Sequence, residues 1–238
     1  GRASTKRNTD QTSTLRTQSR EGVSCGMIGV RERARKDKNL KFTALLHHVT
    51  VELLRDSYQS LKRQASPGVD NISWQEYGED LEVNLQRLHS QIHRGSYRAK
   101  PVLRRMIPKA DGGQRPLGVT CLEDKIAQQA IVTVLNQIYE EDFWGFSYGY
   151  RPNRSQHDAL DAVWMSIMGK RVNWILGVDI QGFFDSLDHD HLMAFLKLRI
   201  ADKRLWRLIN KWLKAGVLED GKKIPTTEGT PQGAVISP

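Results

Sequence analysis

Two carboxylates bracket a short aromatic turn in the segment Trp174–Asp185. The segment reads Trp-Ile-Leu-Gly-Val-Asp-Ile-Gln-Gly-Phe-Phe-Asp, so an apolar run typical of a β-strand ends on Asp179. A carboxylate at the end of a buried strand can hold a divalent metal ion against a polyphosphate. The alternative is that Asp179 only begins a turn, which is a common use of aspartate. The segment alone leaves both interpretations open.

A second candidate group is basic and lies on a predicted β-hairpin. The strands Val102–Lys109 and Arg115–Val119 flank Asp-Gly-Gly-Gln, whose glycines tolerate the backbone angles of a tight turn. Cations on a hairpin that folds over a substrate can pair with its phosphates. A solvent-facing, charged edge strand is the alternative for two of them, Arg104 and Arg105. The four cations of the hairpin are Arg104, Arg105, Lys109 and Arg115.

Helical periodicity dominates the rest of the chain from about Asn39. The clearest amphipathic helix is predicted over Trp74–Ile92, with a capping box at Ser73 and Glu76 and a stop at Gly95. A further capping box is predicted at Thr120–Glu123. Other predicted elements are helices over Leu46–Leu61, Glu123–Tyr139, Ser155–Met168 (with Ala159, Val163 and Ile167 inward), Asp190–Leu198 and Asp202–Lys214, and a short hairpin over Val217–Ile224.

Composition narrows the class of protein and of partner. Apolar residues make up 39% and charged residues 26% of the 238, as in a globular protein, and no apolar run is long enough to span a membrane. The two cysteines have no paired spacing, which argues against a zinc site or a disulfide framework. The net charge of +9 favours a polyanionic partner such as a nucleic acid. Because the chain begins Gly1-Arg2 and ends on Ser237-Pro238, we expect a fragment of a longer protein.

Separated blocks of the sequence together resemble the reverse transcriptases encoded by group II introns, also called maturases. The order and spacing of the blocks carry the resemblance, which covers residues 40 to 238, whereas any single block would be weak. The blocks are Ser66–Asp70 (SPGVD), Ile107–Gly118 (IPKADGGQRPLG), Phe146–His157 (FSYGYRPNRSQH), Asp179–Asp185 (DIQGFFD) and Gly229–Gly233 (GTPQG).

The resemblance implies an α+β fold, the fingers and partial palm of a right-hand polymerase. It would be helix-rich, with short antiparallel strands and without the thumb. The expected domains are a basic flexible arm over residues 1–38, fingers with an N-terminal extension over 39–170, and a partial palm over 171–238. The arm prediction also rests on its Arg, Lys, Ser and Thr content and its lack of apolar periodicity.

The same resemblance assigns roles to individual residues. Asp179 would be the first of three catalytic carboxylates that hold two Mg²⁺ ions, and Ile180 would lend its backbone carbonyl to the metal. Phe184 would be a steric gate that excludes a ribose 2′-hydroxyl; the alternative is a buried core aromatic. The residues expected to bind the deoxynucleoside triphosphate (dNTP) are Lys109, Arg115, Phe184, Gln232 and Gly233.

Acidic and histidine residues near that segment do not suggest a second metal site. Asp185 or Asp188 is expected to cap the following helix or hold the turn. His157, His189 and His191 have no companion at metal-ligand spacing. The expected RNA- or template-binding cations are Arg104, Arg105, Arg151 and Arg154, the last two beside Phe146, Tyr148 and Tyr150.

One expected feature is absent from the sequence. The family has a second carboxylate pair, yet no Asp-Asp occurs in these 238 residues. We therefore expect an RNA-directed DNA polymerase whose 238-residue part is inactive alone. The alternative is an RNA-binding maturase module that assists splicing without catalysis. Expected partners are template and intron RNA, a DNA primer and dNTP, with no membrane and with a homodimer left open. A bacterial cytoplasm is the expected location and an organelle the alternative.

Overall fold

Helices and one small sheet make up the part of the chain that a computed structural model describes, residues 25–108, 112–170, 172–230 and 233–236. The α+β class is confirmed. The helices are α1 (Cys25–Lys36), α2 (Val51–Ser60), α3 (Trp74–Glu79), α4 (Leu81–Arg94), α5 (Leu122–Asp142), α6 (Gln156–Lys170), α7 (His189–Arg199) and α8 (Lys203–Leu213), with a 3₁₀ turn at Leu46–His48. The strands are β1 (Val102–Pro108), β2 (Gln114–Val119), β3 (Val217–Glu219) and β4 (Lys222–Ile224). Within this part of the chain, no helix is long and apolar enough to cross a membrane.

Helix α5 is the centre of the hydrophobic core. Its apolar residues recur every three to four positions, so Ile126, Ala130, Ile131 and Ile138 are buried along its length. Helices α1 and α2 both pack on α5, and α4 packs on α2. Burial of these faces removes apolar surface from water, which is the main driving force for assembling the helices.

Helix α1 lies inside the region that was predicted to be a flexible arm. Met27, Val30 and Ala34 are buried against the core, at the spacing of one helix face. The prediction of an arm through Lys38 is therefore wrong over Cys25–Lys36. Three small or medium apolar residues among many cations gave too weak a periodicity to reveal this face. The division into arm, fingers and palm otherwise stays a prediction.

The long amphipathic helix predicted over Trp74–Ile92 is divided into α3 and α4. Asp80 separates them with φ −115° and ψ 40°, outside the helical region. The capping box is confirmed, because the Ser73 hydroxyl accepts from the Glu76 N–H and the Glu76 carboxylate accepts from the Ser73 N–H. Gly95 ends α4 with φ +76°, also as predicted.

The predicted capping box at the start of α5 is wrong. Cys121 is the N-cap residue and makes no capping hydrogen bond with its side chain. The Glu123 carboxylate instead accepts from Arg87 Nη2 at 2.6 Å. The Thr120 hydroxyl has no hydrogen-bond partner among the described residues.

The sheet has the order β2-β1-β3-β4 and is mixed. The predicted hairpin is confirmed, since β1 and β2 are antiparallel with Arg105 opposite Leu117 and Ile107 opposite Arg115. The predicted β3–β4 hairpin is confirmed as well. The predicted short antiparallel strands are therefore present, but strand β3 also joins β1 in parallel, a pairing that the prediction did not include. This parallel pairing joins strands more than 100 residues apart in sequence, which local patterns cannot reveal.

The strand predicted before Asp179 is not formed. Residues 172–180 have no regular secondary structure, and Trp174, Leu176 and Val178 are 92%, 88% and 81% exposed. An isolated strand leaves its backbone without partners, and no segment of the described chain pairs with this one. Helix α6 is confirmed, but its predicted inward residue Val163 is also exposed.

Candidate functional site

The glycine-rich segment near the end of the chain is held against the aromatic turn. The Gly229 N–H donates to the Leu187 carbonyl at 2.8 Å, and the Thr230 N–H donates to the Phe184 carbonyl at 2.7 Å. His189 Nε2 lies 2.7 Å from the Gly229 carbonyl and donates to it, so this buried histidine has a structural role in holding the segment. Two blocks that are more than 40 residues apart in sequence thus form one unit.

Gly229 makes this contact because it has no side chain. Its φ is +76°, a region that other residues seldom adopt, and a Cβ there would lie 2.7 Å from the Asp185 carbonyl oxygen. The sequence pattern placed Gly229 in the motif without assigning it this role. A glycine beside a Thr-Pro pair was the only signal for it.

Gly233 brings the same segment against the hairpin. Its φ is +97°, and a Cβ there would lie 2.6 Å from Leu117 Cδ1 on β2. In the antiparallel register Arg115 and Leu117 are two residues apart on β2 and therefore share a face. Arg115, which is exposed, is thus on the hairpin face that meets the Gly233 segment.

A cavity of about 440 Å³ lies where these segments meet. Strand β2 forms one wall through Pro116, Leu117 and Gly118, and Asp185 contributes from the aromatic turn. The segment Pro225–Thr230 forms the opposite wall. The volume is within the range of small-molecule sites, which run from about 300 to 1,000 Å³.

Phe184 is half-buried at the edge of this unit. Its ring contacts the Phe183 ring edge-on, with centroids 5.5 Å apart, and its carbonyl is fixed by Thr230. A fully buried core aromatic, the alternative considered above, would be enclosed on all sides. Phe184 is instead anchored through its backbone with part of its ring accessible.

Asp179 and Ile180 are exposed and lie just before the aromatic turn. No group of three His, Cys, Asp or Glu residues in the described chain is arranged to hold a metal ion. Mg²⁺ takes six oxygen ligands and is commonly held by one or two carboxylates, substrate phosphates and water. Asp179 and the Ile180 carbonyl supply too little charge for two ions, so these residues alone do not fit a two-metal centre.

Lys109 and Gln232 lie outside the described residues. Their described neighbours are Pro108, at the end of β1, and Gly233, beside β2. Asp188 is the N-cap of α7, with its carboxylate accepting from the His191 N–H at 2.7 Å. The predicted helix-capping role of this acidic cluster is thus confirmed at Asp188.

The predicted RNA-binding cations have different surroundings. Arg104 donates to Glu219 at 3.1 Å across the sheet and also lines the cavity. Arg105 is exposed on β1, on the same face as Arg115. Arg154 is exposed, and its guanidinium carbon lies 5.4 Å from the centre of the Tyr148 ring.

Arg151 is enclosed by the loop that carries it. It donates to both carboxylate oxygens of Glu140, at 3.1 and 3.0 Å, and to the carbonyls of Trp144 and Ser147, each at 2.9 Å. A longer bond to the Glu140 carbonyl occupies its last N–H, and its side chain is only 7% exposed. With every donor occupied, the direct RNA contact predicted for Arg151 is not supported, and Arg151 instead holds the loop.

Residues 107–238 match the family "Reverse transcriptase (RNA-dependent DNA polymerase)". Protein YkfC of Escherichia coli K12 is 36% identical over 212 residues, which cover 86% of this chain and 56% of that protein. Group II intron-encoded protein LtrA of Lactococcus lactis is 39% identical over 158 residues, 66% of this chain and 26% of that protein. The putative COX1/OXI3 intron 2 protein of Saccharomyces cerevisiae is 33% identical over 203 residues, 84% of this chain and 23% of that protein. The chain thus spans about half of the first relative and about a quarter of the other two.

Proposed function

This chain belongs to the reverse transcriptases of group II introns, and on that premise we propose that it forms the nucleotide-binding part of an RNA-directed DNA polymerase. The observation that carries the proposal is that β2, Asp185 of the aromatic turn and the residues Gly229 and Thr230 line one cavity. These are three of the sequence blocks expected to bind dNTP. In this proposal they belong to the fingers and partial palm of a right hand.

Arg115 and Lys109 pair with the triphosphate in this proposal. Arg115 does not itself line the cavity; it is exposed on the β2 face that meets Gly233, next to the lining residue Pro116. A guanidinium presents several N–H donors in a planar fork that matches phosphate oxygens. Gln232 and Gly233 contact the sugar or base, since the amide can hydrogen-bond and the glycine permits close approach.

Phe184 acts as the sugar gate of this site. The Phe184 carbonyl accepts a hydrogen bond from the Thr230 N–H, which fixes the Phe184 backbone. From this position the ring can exclude a 2′-hydroxyl. A ring in that place favours deoxynucleotides by steric exclusion rather than by a new attractive contact.

Asp179 and the Ile180 carbonyl would supply two of the oxygen ligands of Mg²⁺, an ion that this family generally uses, and the other ligands would come from outside these residues. When bound, the metal would neutralise triphosphate charge and lower the pKa of the attacking hydroxyl. The 238 residues contain no Asp-Asp pair to complete a two-ion centre. We therefore expect no primer extension from this chain alone; extension by the purified chain would contradict this.

Sugar discrimination provides the direct test. Equilibrium binding of a fluorescent deoxynucleotide and of its ribonucleotide counterpart is measured with Mg²⁺ for the wild type, Phe184→Ala and Phe183→Ala. The wild type and Phe183→Ala should prefer the deoxynucleotide, and Phe184→Ala should bind both equally. Arg115→Ala should weaken binding of the triphosphate by about 10- to 100-fold. An unchanged sugar preference in Phe184→Ala would refute its role as gate.

A second proposed function is recognition of intron RNA without catalysis. It is favoured by the net charge of +9 and by relatives named as intron-encoded proteins. Binding to a structured intron RNA and to a random RNA of equal length is compared across a salt series. Equal affinities with equally steep salt slopes indicate phosphate attraction alone, whereas a preference that persists at high salt supports recognition.

The remaining partners follow from the polymerase proposal. They are template RNA, a DNA primer and dNTP; a homodimer is not required by any of the contacts described above. We propose the bacterial cytoplasm as the location, with an organelle as the alternative, since the relatives include an intron-encoded protein of a bacterium and an intron maturase named as mitochondrial.

A further inference from the structure

Three large aromatic side chains project from the loop that follows α5. Trp144, Phe146 and Tyr150 are 74%, 74% and 77% exposed. The rings of Trp144 and Phe146 are stacked, with centroids 5.9 Å apart and planes inclined by 24°. Scattered exposed aromatics are common, but three within seven residues, two of them stacked, make an exposed aromatic surface that calls for an explanation.

The loop holds these rings outward through a buried polar network. Arg151 ties the Trp144 and Ser147 carbonyls to Glu140, and its guanidinium carbon lies 4.9 Å from the centre of the Phe143 ring. Tyr150 has φ +57°, a conformation that costs free energy in a residue other than glycine. The aromatic surface is therefore presented by a braced loop.

The acidic residues beside this surface are each neutralised. Glu140 pairs with Arg151, and Asp142 pairs with Arg199 at 2.8 Å. Glu141 pairs with Arg31 and Arg35, whose side chains are about half and two-thirds exposed. The end of α5 therefore does not repel a polyanion, and cations surround it.

Arg154 adds a further cation on the other side of the loop. It is exposed and lies over the Tyr148 ring. Exposed aromatic rings bordered by exposed Arg side chains match the chemistry of unpaired nucleotides, whose bases stack while their phosphates pair with cations. A protein partner would not require the cations, and a duplex would hide its base faces.

We propose that Trp144, Phe146 and Tyr150 form a stacking surface for unpaired bases of single-stranded RNA, with Arg154 contacting the backbone. The inference rests on the proposed function, because it gives the RNA partner of that function a place on the molecule. It identifies Trp144, which the sequence motif did not include, as a binding residue. Arg151 positions the loop and does not itself touch RNA.

Fluorescence anisotropy with a short unstructured RNA, and with a duplex RNA of equal charge, tests the surface. Trp144→Ala and Phe146→Ala should each weaken binding of the single strand by about 5- to 100-fold. The salt slope and the affinity for duplex should not change, because no phosphate contact is lost. Trp144→Phe should retain most of the affinity, and Arg154→Gln should lower the salt slope by about one.

Phe195→Ala is the matched control, since this aromatic is 68% exposed on α7, outside the loop, and should bind like the wild type. Equal losses for single strand and duplex, or no loss, would overturn the stacking surface. A change from dimer to monomer in Trp144→Ala, with RNA affinity unchanged, would assign the surface to protein contacts and also overturn it. Failure of the wild type to bind any RNA would instead refute the proposed RNA-binding function, so the two failures are distinguishable.

Discussion

Gly229 lets two parts of the site approach each other because it has no side chain. Replacing it with alanine would add a Cβ 2.7 Å from the Asp185 carbonyl and would retain an unfavourable φ of +76°. The Gly229–Leu187 and Thr230–Phe184 hydrogen bonds would have to lengthen or break. The free energy of unfolding should fall by about 2–4 kcal/mol, combining backbone strain with overpacking. Chemical denaturation measures this cost.

Gly221→Ala separates the two causes. Gly221 has nearly the same φ, +75°, but nothing within 4 Å of its Cβ position. Gly221→Ala should therefore lower the free energy of unfolding only through backbone strain, by about 1–2 kcal/mol. Equal costs at Gly221 and Gly229 would show that the close approach to Asp185 is not a constraint. Deoxynucleotide binding should weaken in Gly229→Ala and stay unchanged in Gly221→Ala, because only Gly229 is part of the cavity wall.

Helix α1 is joined to α5 by both apolar and charged contacts. Val30 is 1% exposed in this interface, whereas Ile28 on the same helix is 48% exposed. Val30→Asp would bury an unpaired carboxylate and should lower the free energy of unfolding by about 3 kcal/mol or more. Ile28→Asp should change it by less than about 1 kcal/mol. Thermal and urea unfolding measure both, and similar small effects would restore the interpretation of a flexible arm.

Local patterns predicted most of the elements but not their long-range partners. The Asp-Gly-Gly hairpin, the Ser73 capping box and the Gly95 helix end each depend on neighbours within a few residues, and all three are confirmed. The parallel β1–β3 pairing depends on distant segments and was missed. The strand before Asp179 was predicted from apolar content alone, which does not supply the backbone partner that a strand needs.

The candidate site was predictable by residue type rather than by contact. The motifs named Arg115, Phe184 and Gly233 as parts of one site. Their sequence neighbours Pro116, Asp185 and Thr230 line one cavity, but the three named residues do not line it, so their joint role stays a prediction. The motifs also gave Arg151 an RNA contact that its buried ion pair precludes. An exposed and a buried arginine look identical in sequence, because their difference arises from which acids and carbonyls the folded loop brings near.

Titratable groups across the molecule make the free energy of unfolding depend on pH, and they do so in two opposite directions. The Arg35 and Arg31 guanidinium groups hydrogen-bond Glu141 and lower its pKa to about 2, so its stabilising contribution is lost as the pH falls from about 4.5 towards 2. Burial lowers the pKa of His48 and of His89, so their contribution is also lost as the pH falls through 6.5. Asp124 changes stability in the opposite direction, so that its stabilising contribution is lost as the pH rises. A variant is needed to separate this contribution from those of the other groups.

Asp124 is buried under a hydrogen-bond network that links three elements. The Tyr97 hydroxyl and the Lys100 N–H donate to its carboxylate, and Trp212 Nε1 donates to the Tyr97 hydroxyl at 2.9 Å. Burial raises the pKa of Asp124 to about 6 from an ordinary value of 3.8, a shift that outweighs these hydrogen bonds. Between about pH 4 and 6 the folded protein therefore binds more protons at this site than the unfolded chain does.

Asp124→Asn should remove this dependence. As the pH rises from 4 to 7, the wild type should lose stability relative to the variant by on the order of 2–3 kcal/mol, with the change centred between the two pKa values. The Asn amide also places an N–H opposite the backbone N–H of Lys100, which destabilises the variant. This destabilisation is the same at every pH, so it changes the size of the stability difference but not its dependence on pH. Urea unfolding of both proteins across the range gives the difference, with the exposed Asp161→Asn as control. A difference that is flat with pH, or that favours the wild type as the pH rises, would mean that Asp124 is ionised throughout and stabilised by the network around it.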